Sequence, residues 1–390
     1  MLRLKRGRER ARVHPWIFKG DVADVVDVEP GAVVTVVDST GGFVGRGFYN
    51  PRPALCCRIL TWRDEAIDAG FWRRRMEAAL AHRERAGVGT TAGRLVWSEA
   101  DGLPGLVVDR YGEVLVVQCL TLGVMRARAD VVAALQSVLG DRPVFAVDDP
   151  VPARLESFEP LRGWLDTPGP PSVVVDETSA AGVVHFGVTF GTGHKTGLYL
   201  DQRDNRARVG ALARGRDVLD AFSYTAGFAC HTLVGGARRA VCLESSPDAV
   251  AGARGNLALN GVSLRAEVRA VNAFDELRRL DRARERFGLV ALDPPPFARS
   301  RETVEAARRG YKEINLRAMR LLAPGGILAT FSCSHHVSVQ DFEEICRAAA
   351  FDAGVSLRVL ATLSQTADHP VLLAVPETRY LKGLLFERAD

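Results

Sequence analysis

No two of the seven cysteines (56, 57, 119, 230, 242, 333 and 346) are spaced as a C-x-x-C pair, and their number is odd. That pattern argues against a disulfide framework and against a cysteine zinc site, so reduced thiols and no bound metal are expected. No apolar run approaches the roughly 20 residues that cross a bilayer. The opening Met1-Leu2-Arg3-Leu4-Lys5-Arg6 also lacks the apolar centre of a signal peptide, and a soluble cytoplasmic protein is the expectation. A strong excess of one charge is missing too: the net charge of +4 fits a nucleic-acid partner without demanding one. Its distribution is more telling. Arg3, Lys5, Arg6, Arg8, Arg10 and Arg12 crowd the first dozen residues, a density that attracts phosphate oxygens, with a solvated tail as the alternative. At 390 residues and 47% hydrophobic, the chain is long enough for two or three cores.

The character of the chain changes along its length. Residues 31–60 read as short strands, with Val33, Thr35 and Val37 alternating against Val34 and Val36 and with Gly45 and Gly47 as punctuation. Trp72, Met76, Ala79 and Leu80 then recur at helical spacing. Residues 88–185 mix strands (106–108, 114–117) with a helix near 127–139 and a Pro-rich patch at 167–171. After Gly191, short apolar strands alternate regularly with helices, the pattern of a parallel sheet covered on both faces. The strands expected are Val218-Leu219, 240–243, 289–292 and 327–331. Ligands of such sheets bind beyond the carboxyl ends of the strands.

Those ends carry distinctive residues. In VLDAFSYTAGF (218–228) Asp220 closes a strand, and a turn with one late glycine, Gly227, leads into a helix. The next strand ends at Glu244, followed by the helix cap Ser245-Ser246-Pro247. A carboxylate there suits the two hydroxyls of a ribose. The G-x-G-x-x-G loop that brings backbone against a pyrophosphate is missing, which favours an adenosine cofactor without phosphates, S-adenosylmethionine being the common one. Purely structural carboxylates are the alternative. In LDPPPF (292–297) three prolines follow Asp293, making a rigid, carbonyl-rich ledge on which a flat base can rest. Asp293 can orient an amino group or accept a proton. In FSCSHH (331–336) Cys333 follows an apolar strand, where a buried packing thiol and a nucleophile are both open readings.

HPWIF (14–18), EADGLPGLVVDRYG (99–112), HKTGLYLDQRDNR (194–206), VLDAFSYTAGF, LDPPPF, FSCSHH and DHPVLLAVPETRYLKGLLF (368–386) together resemble the S-adenosylmethionine-dependent 23S rRNA cytosine-5 methyltransferases that carry an N-terminal PUA domain. The resemblance implies an α/β protein with a β-rich PUA-like RNA-binding domain (1–72), a small α+β central domain (73–185) and a Rossmann-like class I methyltransferase domain (186–390). It implies a cofactor site of Asp220, Phe222, Ser223, Tyr224, Thr225, Gly227, Glu244, Ser245, Asn272, Ala273, Asp293 and Gln202. Catalysis falls to Cys333 and Asp293. Arg3, Lys5, Arg6, Lys195, Arg206, Pro294, Pro295 and Phe297 are the residues expected to face RNA. The chain departs from the family with His194 for glutamine, Ala226 for glycine, Glu244 for aspartate, and Asn272 for the aspartate that meets the adenine amino group. Residues 145–151 also replace a glutamate-arginine-serine-aspartate run.

A cysteine has a chemical reason to be there. Carbon 5 of cytosine is too weak a nucleophile to take a methyl group until a thiolate adds at carbon 6, and a thiol of pKa about 8.5 needs help to ionise at neutral pH. The implied partner is 23S rRNA or a ribosomal precursor, with no membrane; a homodimer is compatible. Two other readings stay open: an RNA base N-methyltransferase, which needs no nucleophile, and a ribosome-assembly factor that binds RNA without catalysis.

Overall fold

The computed structural model describes residues 1–8, 13–88, 91–191, 197–297 and 303–390. The chain forms two compact units, one of Met1–Val173, Val188–Leu200 and Ala367–Arg379, the other of Val174–Gly187, Asp201–Thr366 and Tyr380–Asp390.

The first unit begins with β1 (Leu2–Leu4), β2 (Trp16–Phe18), β3 (Val22–Val25), β4 (Val33–Val37), β5 (Phe43–Tyr49) and β6 (Leu55–Thr61), in the sheet order β2-β6-β5-β4-β1-β3. Alternation explains β4: Val34 and Val36 enter a core with Leu2, Leu4, Ile17 and Ile59, while Val33 is exposed. Gly47 is required where β5 meets β6, because a Cβ there would fall 2.2 Å from the Arg58 carbonyl oxygen. Helix α1 (Ala69–Arg85) starts at Asp68, whose carboxylate accepts from the Phe71 N–H, and it buries Phe71, Trp72, Met76 and Ala79. A second sheet follows, of β7 (Ala92–Trp97), β8 (Leu106–Tyr111), β9 (Val114–Cys119), β10 (Val144–Val147) and β11 (Arg162–Leu165), with helices α2 (Leu122–Arg126), α3 (Arg128–Leu139) and α4 (Pro150–Glu156). The α1 residues share one core with Phe48 and Leu60 of the first sheet and with Val108, Leu115, Val131 and Leu135. Three of the quoted segments brace this unit. Trp16 Nε1 donates to Glu99 at 2.8 Å, His14 Nε2 lies 3.2 Å from Glu377, and buried Arg83 pairs with Asp101 while donating to the Asp368 carbonyl at 2.9 Å.

The chain enters the second unit through the paired strands β12 (Ser172–Ser179) and β13 (Gly182–Thr189). Its main sheet is built from β14 (Asp217–Ala221), β15 (Arg239–Glu244), β16 (Ala266–Ala270), β17 (Phe287–Leu292), β18 (Leu322–Ser332), β19 (Leu357–Ser364) and β20 (Lys382–Arg388). The order is β16-β15-β14-β17-β18-β20-β19, with the first five parallel and β20 antiparallel to both neighbours. Helices α5 (Arg203–Ala211), α6 (Gly227–Val234), α7 (Pro247–Leu259), α8 (Ala273–Arg282), α9 (Val304–Leu321) and α10 (Val339–Ala353) connect the strands. Leu219, Val290, Leu292 and Leu328 are fully buried, as continuous apolar runs in a covered parallel sheet should be. Register then fixes the functional edge. Ala221 lies opposite Leu243 on one side and Leu292 on the other, and Leu292 lies opposite Thr330. Phe222, Glu244 and Asp293 therefore leave the sheet side by side, and Cys333 follows at the end of β18.

Candidate active site

The turn after β14 is held in an uncommon shape. Phe222, Tyr224 and Ala226 have φ of 62°, 47° and 63°, left-handed values that cost a residue with a Cβ roughly 1–2 kcal/mol. Hydrogen bonds hold them: Ser223 N–H donates to the Leu243 carbonyl (3.0 Å), Tyr224 N–H to Glu244 Oε2 (2.9 Å), and Ala226 N–H to the Ser223 carbonyl (2.8 Å). Glu244 Oε1 accepts from Ser245 and Ser246 N–H at 2.7 and 2.8 Å, so its carboxylate is fixed at the strand tip with lone pairs to spare. Thr225 is anchored through its carbonyl, which accepts from Asn256 Nδ2 at 2.9 Å. Gly227 opens α6 over a tight spot, where a Cβ would stand 2.8 Å from Arg206 Cδ.

Beneath this turn, Asp220 is 1% exposed; its Oδ2 accepts from Ala229 N–H at 2.9 Å, and its Oδ1 has no partner among the described residues. Burial, reinforced by the charges of Asp293 and Glu244, pushes its carboxyl up to about 7. Gln202 is similar: Oε1 accepts from Asn205 at 2.7 Å, whereas the buried Nε2 has no partner among the described residues. Asn272 is exposed and caps α8, its Oδ1 accepting from Phe274 and Asp275 N–H, while Ala273 is buried. Phe222, Phe274 and Phe297 form a half-buried aromatic group, with centroids 5.4–6.4 Å apart, and Phe297 also packs on Tyr311 at 4.6 Å.

Cys333 is half-buried and its Sγ lies 3.8 Å from the Pro294 carbonyl oxygen, so the FSCSHH and LDPPPF segments meet. The other six cysteines are buried, and burial holds the thiols of Cys56 and Cys119 up at about 11. Pro294 is buried and Pro295 exposed. His335 and His336 are both exposed and lie beyond the end of β18 rather than on it, with the His335 ring 5.9 Å from that of Tyr380.

Arg206 departs from the expectation that it faces RNA. It is 3% exposed, its guanidinium pairs with Glu177, which is 1% exposed, and His231 Nε2 lies 2.9 Å from the same carboxylate. Burial alone would raise Glu177, but the Arg206 charge and the bonds from His231 and Arg206 outweigh it and hold the carboxyl down at about 2. A guanidinium committed in this way braces the floor under Gly227 instead of contacting a ligand strand. Arg3 pairs with Asp24 at 3.7 Å, exposed Lys5 donates to the Gly20 carbonyl, and Arg6 is exposed. Lys195, His194, Arg10 and Arg12 lie outside the described residues.

A sequence profile of the S-adenosylmethionine-dependent methyltransferases matches residues 168–387, and a PUA-like domain profile matches residues 2–62. The protein named "Ribosomal RNA large subunit methyltransferase I" of Alteromonas mediterranea is 38% identical over 395 residues, covering 100% of this chain and 98% of that one. The chain belongs to this methyltransferase family. The protein of the same name from Klebsiella pneumoniae (strain 342) is 38% identical across 97% of this chain and 96% of its own length. The fold agrees with a solved methyltransferase in complex with SAH (TM-score 0.84, 19% identity, 99% of this chain and 100% of that one). A structure from Streptococcus mutans described as a SAM-dependent methyltransferase superposes equally well (TM-score 0.83, 18% identity, the same coverage).

As a family member the chain uses S-adenosylmethionine, and the residues present fit it. The lone acceptor Asp220 Oδ1 and the neighbouring carboxylates suit a ligand carrying positive charge, Glu244 suits a ribose, and the aromatic group suits an adenine. Three features of this methyltransferase escaped the sequence reading: the left-handed turn, the Glu177–Arg206–His231 cluster and Lys382. Lys382 opens β20, is 6% exposed, and donates from Nζ to the Ser334 carbonyl at 2.6 Å. A charged residue inside the apolar run YLKGLLF was the available signal.

Proposed function

We infer that this methyltransferase acts on the RNA of the large ribosomal subunit, 23S rRNA or its precursor, at carbon 5 of a cytosine, with Cys333 as the nucleophile. The observation that carries the reading is the placement of one accessible thiol, among seven cysteines, on the edge of the sheet that also presents Asp220, Glu244 and Asp293. In this reading the Cys333 thiolate adds to carbon 6 of the ring, and carbon 5 gains carbanion character. When bound, the cofactor supplies an electrophilic methyl group. Loss of the carbon 5 proton to a base then lets the sulfur–carbon bond break and regenerates the thiolate. Asp293 orients the amino edge of the cytosine, while Pro294, Pro295 and Phe297 form the ledge beside it. Residues 1–72 grip RNA through Arg3, Lys5 and Arg6, residues 73–185 form the small central α+β domain, and residues 186–390 carry the chemistry.

The test is methyl transfer to 23S rRNA lacking the modification, followed by mass analysis of nucleosides. The expected product is 5-methylcytidine, with Cys333→Ala reducing the rate by at least about a thousandfold and leaving cofactor affinity unchanged. An N-methylated base, or an active Cys333→Ala enzyme, overturns the reading in favour of amine methylation.

A further inference from the structure

We propose that Lys382 is the positioning residue that ionises Cys333, its ammonium forming with the sulfur an ion pair across the β18–β20 junction. The inference rests on Cys333 being the nucleophile.

Lys382 lies opposite Ser332 in the β18–β20 ladder and opposite Ser364 in the β19–β20 ladder, both uncharged. Its Nζ is held at the Ser334 carbonyl, the residue directly after Cys333, by the 2.6 Å hydrogen bond. Tyr311 of α9 fixes the same residue from the other side, its hydroxyl 2.9 Å from Ser334 Oγ. The Cys333 backbone is thus flanked by Ser332, buried in the sheet, and Ser334, clamped twice. The Pro294 carbonyl approaches Sγ from the ledge.

Among the described residues, the charges around this thiol come from few elements. The loop after β17 carries Asp293 directly before Pro294, where a carboxylate would oppose a thiolate, and α9 brings Tyr311, a neutral hydroxyl whose pKa burial raises. His335, two residues beyond Cys333, is exposed, its ring 5.9 Å from that of Tyr380. From β20 comes Lys382, a cation. Burial draws its pKa down to about 8, with the charge of Cys333 pulling the other way. A buried ammonium with no opposite charge is costly, and a thiol near an ammonium loses its proton more readily, so each group relieves the other. The proton balance is simple: the amine takes the proton of the thiol, giving thiolate and ammonium, and the same pair is restored when the sulfur leaves the ring. Nothing else is consumed.

The experiment measures the thiol directly in the full-length protein, without RNA. Alkylation of Cys333 by iodoacetamide is followed by peptide mass analysis across the pH range for wild type, Lys382→Met and Lys382→Arg. Wild type should show a midpoint clearly below the ordinary value of about 8.5. Lys382→Met should move it up by about one unit or more, a roughly tenfold loss of rate near neutral pH, and Lys382→Arg should restore most of that loss, which a packing role would not do. A wild-type midpoint at or above about 8.5 overturns the proposal whether or not the variants fold. So does a midpoint common to all three proteins, or one displaced equally by methionine and arginine. The two readings fail separately: a low, Lys382-dependent midpoint with no methylation at carbon 5 keeps the ion pair and removes the pyrimidine chemistry.

Discussion

At the scale of single residues, the site joins groups that are each costly alone. Asp220 is the clearest. With a folded pKa of about 7 against roughly 3.9 in the unfolded chain, it holds its proton more tightly when folded. Its contribution to stability is therefore full below about pH 4 and is lost as pH rises through 7. A positively charged ligand beside Oδ1 should reverse the preference and ionise it. Calorimetry of S-adenosylmethionine binding in buffers of different ionisation enthalpy should thus show proton release near pH 6 that fades by about pH 8.5, and Asp220→Asn should abolish the release. The sequence announced this carboxylate, Glu244, Asp293 and Cys333, because each follows an apolar strand. It hid Lys382, since a charge in an apolar run reads as a strand margin until the antiparallel partner is known. It hid the three left-handed residues as well, because that conformation usually declares itself through glycine and only Gly227 is present.

Elements show where pattern suffices. The strands β14, β15, β17 and β18 were legible because strands covered on both faces are unbroken apolar runs, and their helices have clear caps such as Ser246 and Ser338. The edge strand β16, Ala-Glu-Val-Arg-Ala, gives no such signal, and β19 and β20 belong to an antiparallel return that the alternating pattern does not foretell. The Glu177–Arg206–His231 cluster joins β12, α5 and α6, three elements remote in sequence. Here the burial decides the role. Arg206→Met should cost about 3–5 kcal/mol in urea unfolding, because Glu177 is left charged and buried. The salt dependence of RNA binding should not change, whereas removing a guanidinium that gripped phosphate would lower the slope. Glu177 itself stabilises the fold above its ordinary range near 4.3 and loses that contribution as pH falls toward 2.

For the whole molecule, composition announced more than one core and left unmarked that the chain passes repeatedly between the units, with residues 188–200 and 367–379 belonging to the first. Segments such as HPWIF and DHP carried part of the family resemblance, and within them His14 and Asp368 are buried braces. The proposed binding of RNA by the PUA-like region is expected to be mainly electrostatic. Replacing Arg3, Lys5 and Arg6 with alanine should lower the slope of log affinity against log salt by about 0.7 for each phosphate that is no longer neutralised, with cofactor affinity unchanged. The central claim, a transient bond between Cys333 and a cytosine, is tested most directly by offering the enzyme and its cofactor an rRNA carrying 5-fluorocytosine, from which no proton can leave carbon 5. The account predicts a stable protein–RNA adduct that maps to Cys333 and is missing from Cys333→Ala; normal methylation of ordinary rRNA with no adduct on the fluorinated substrate, or an adduct at another residue, would contradict it.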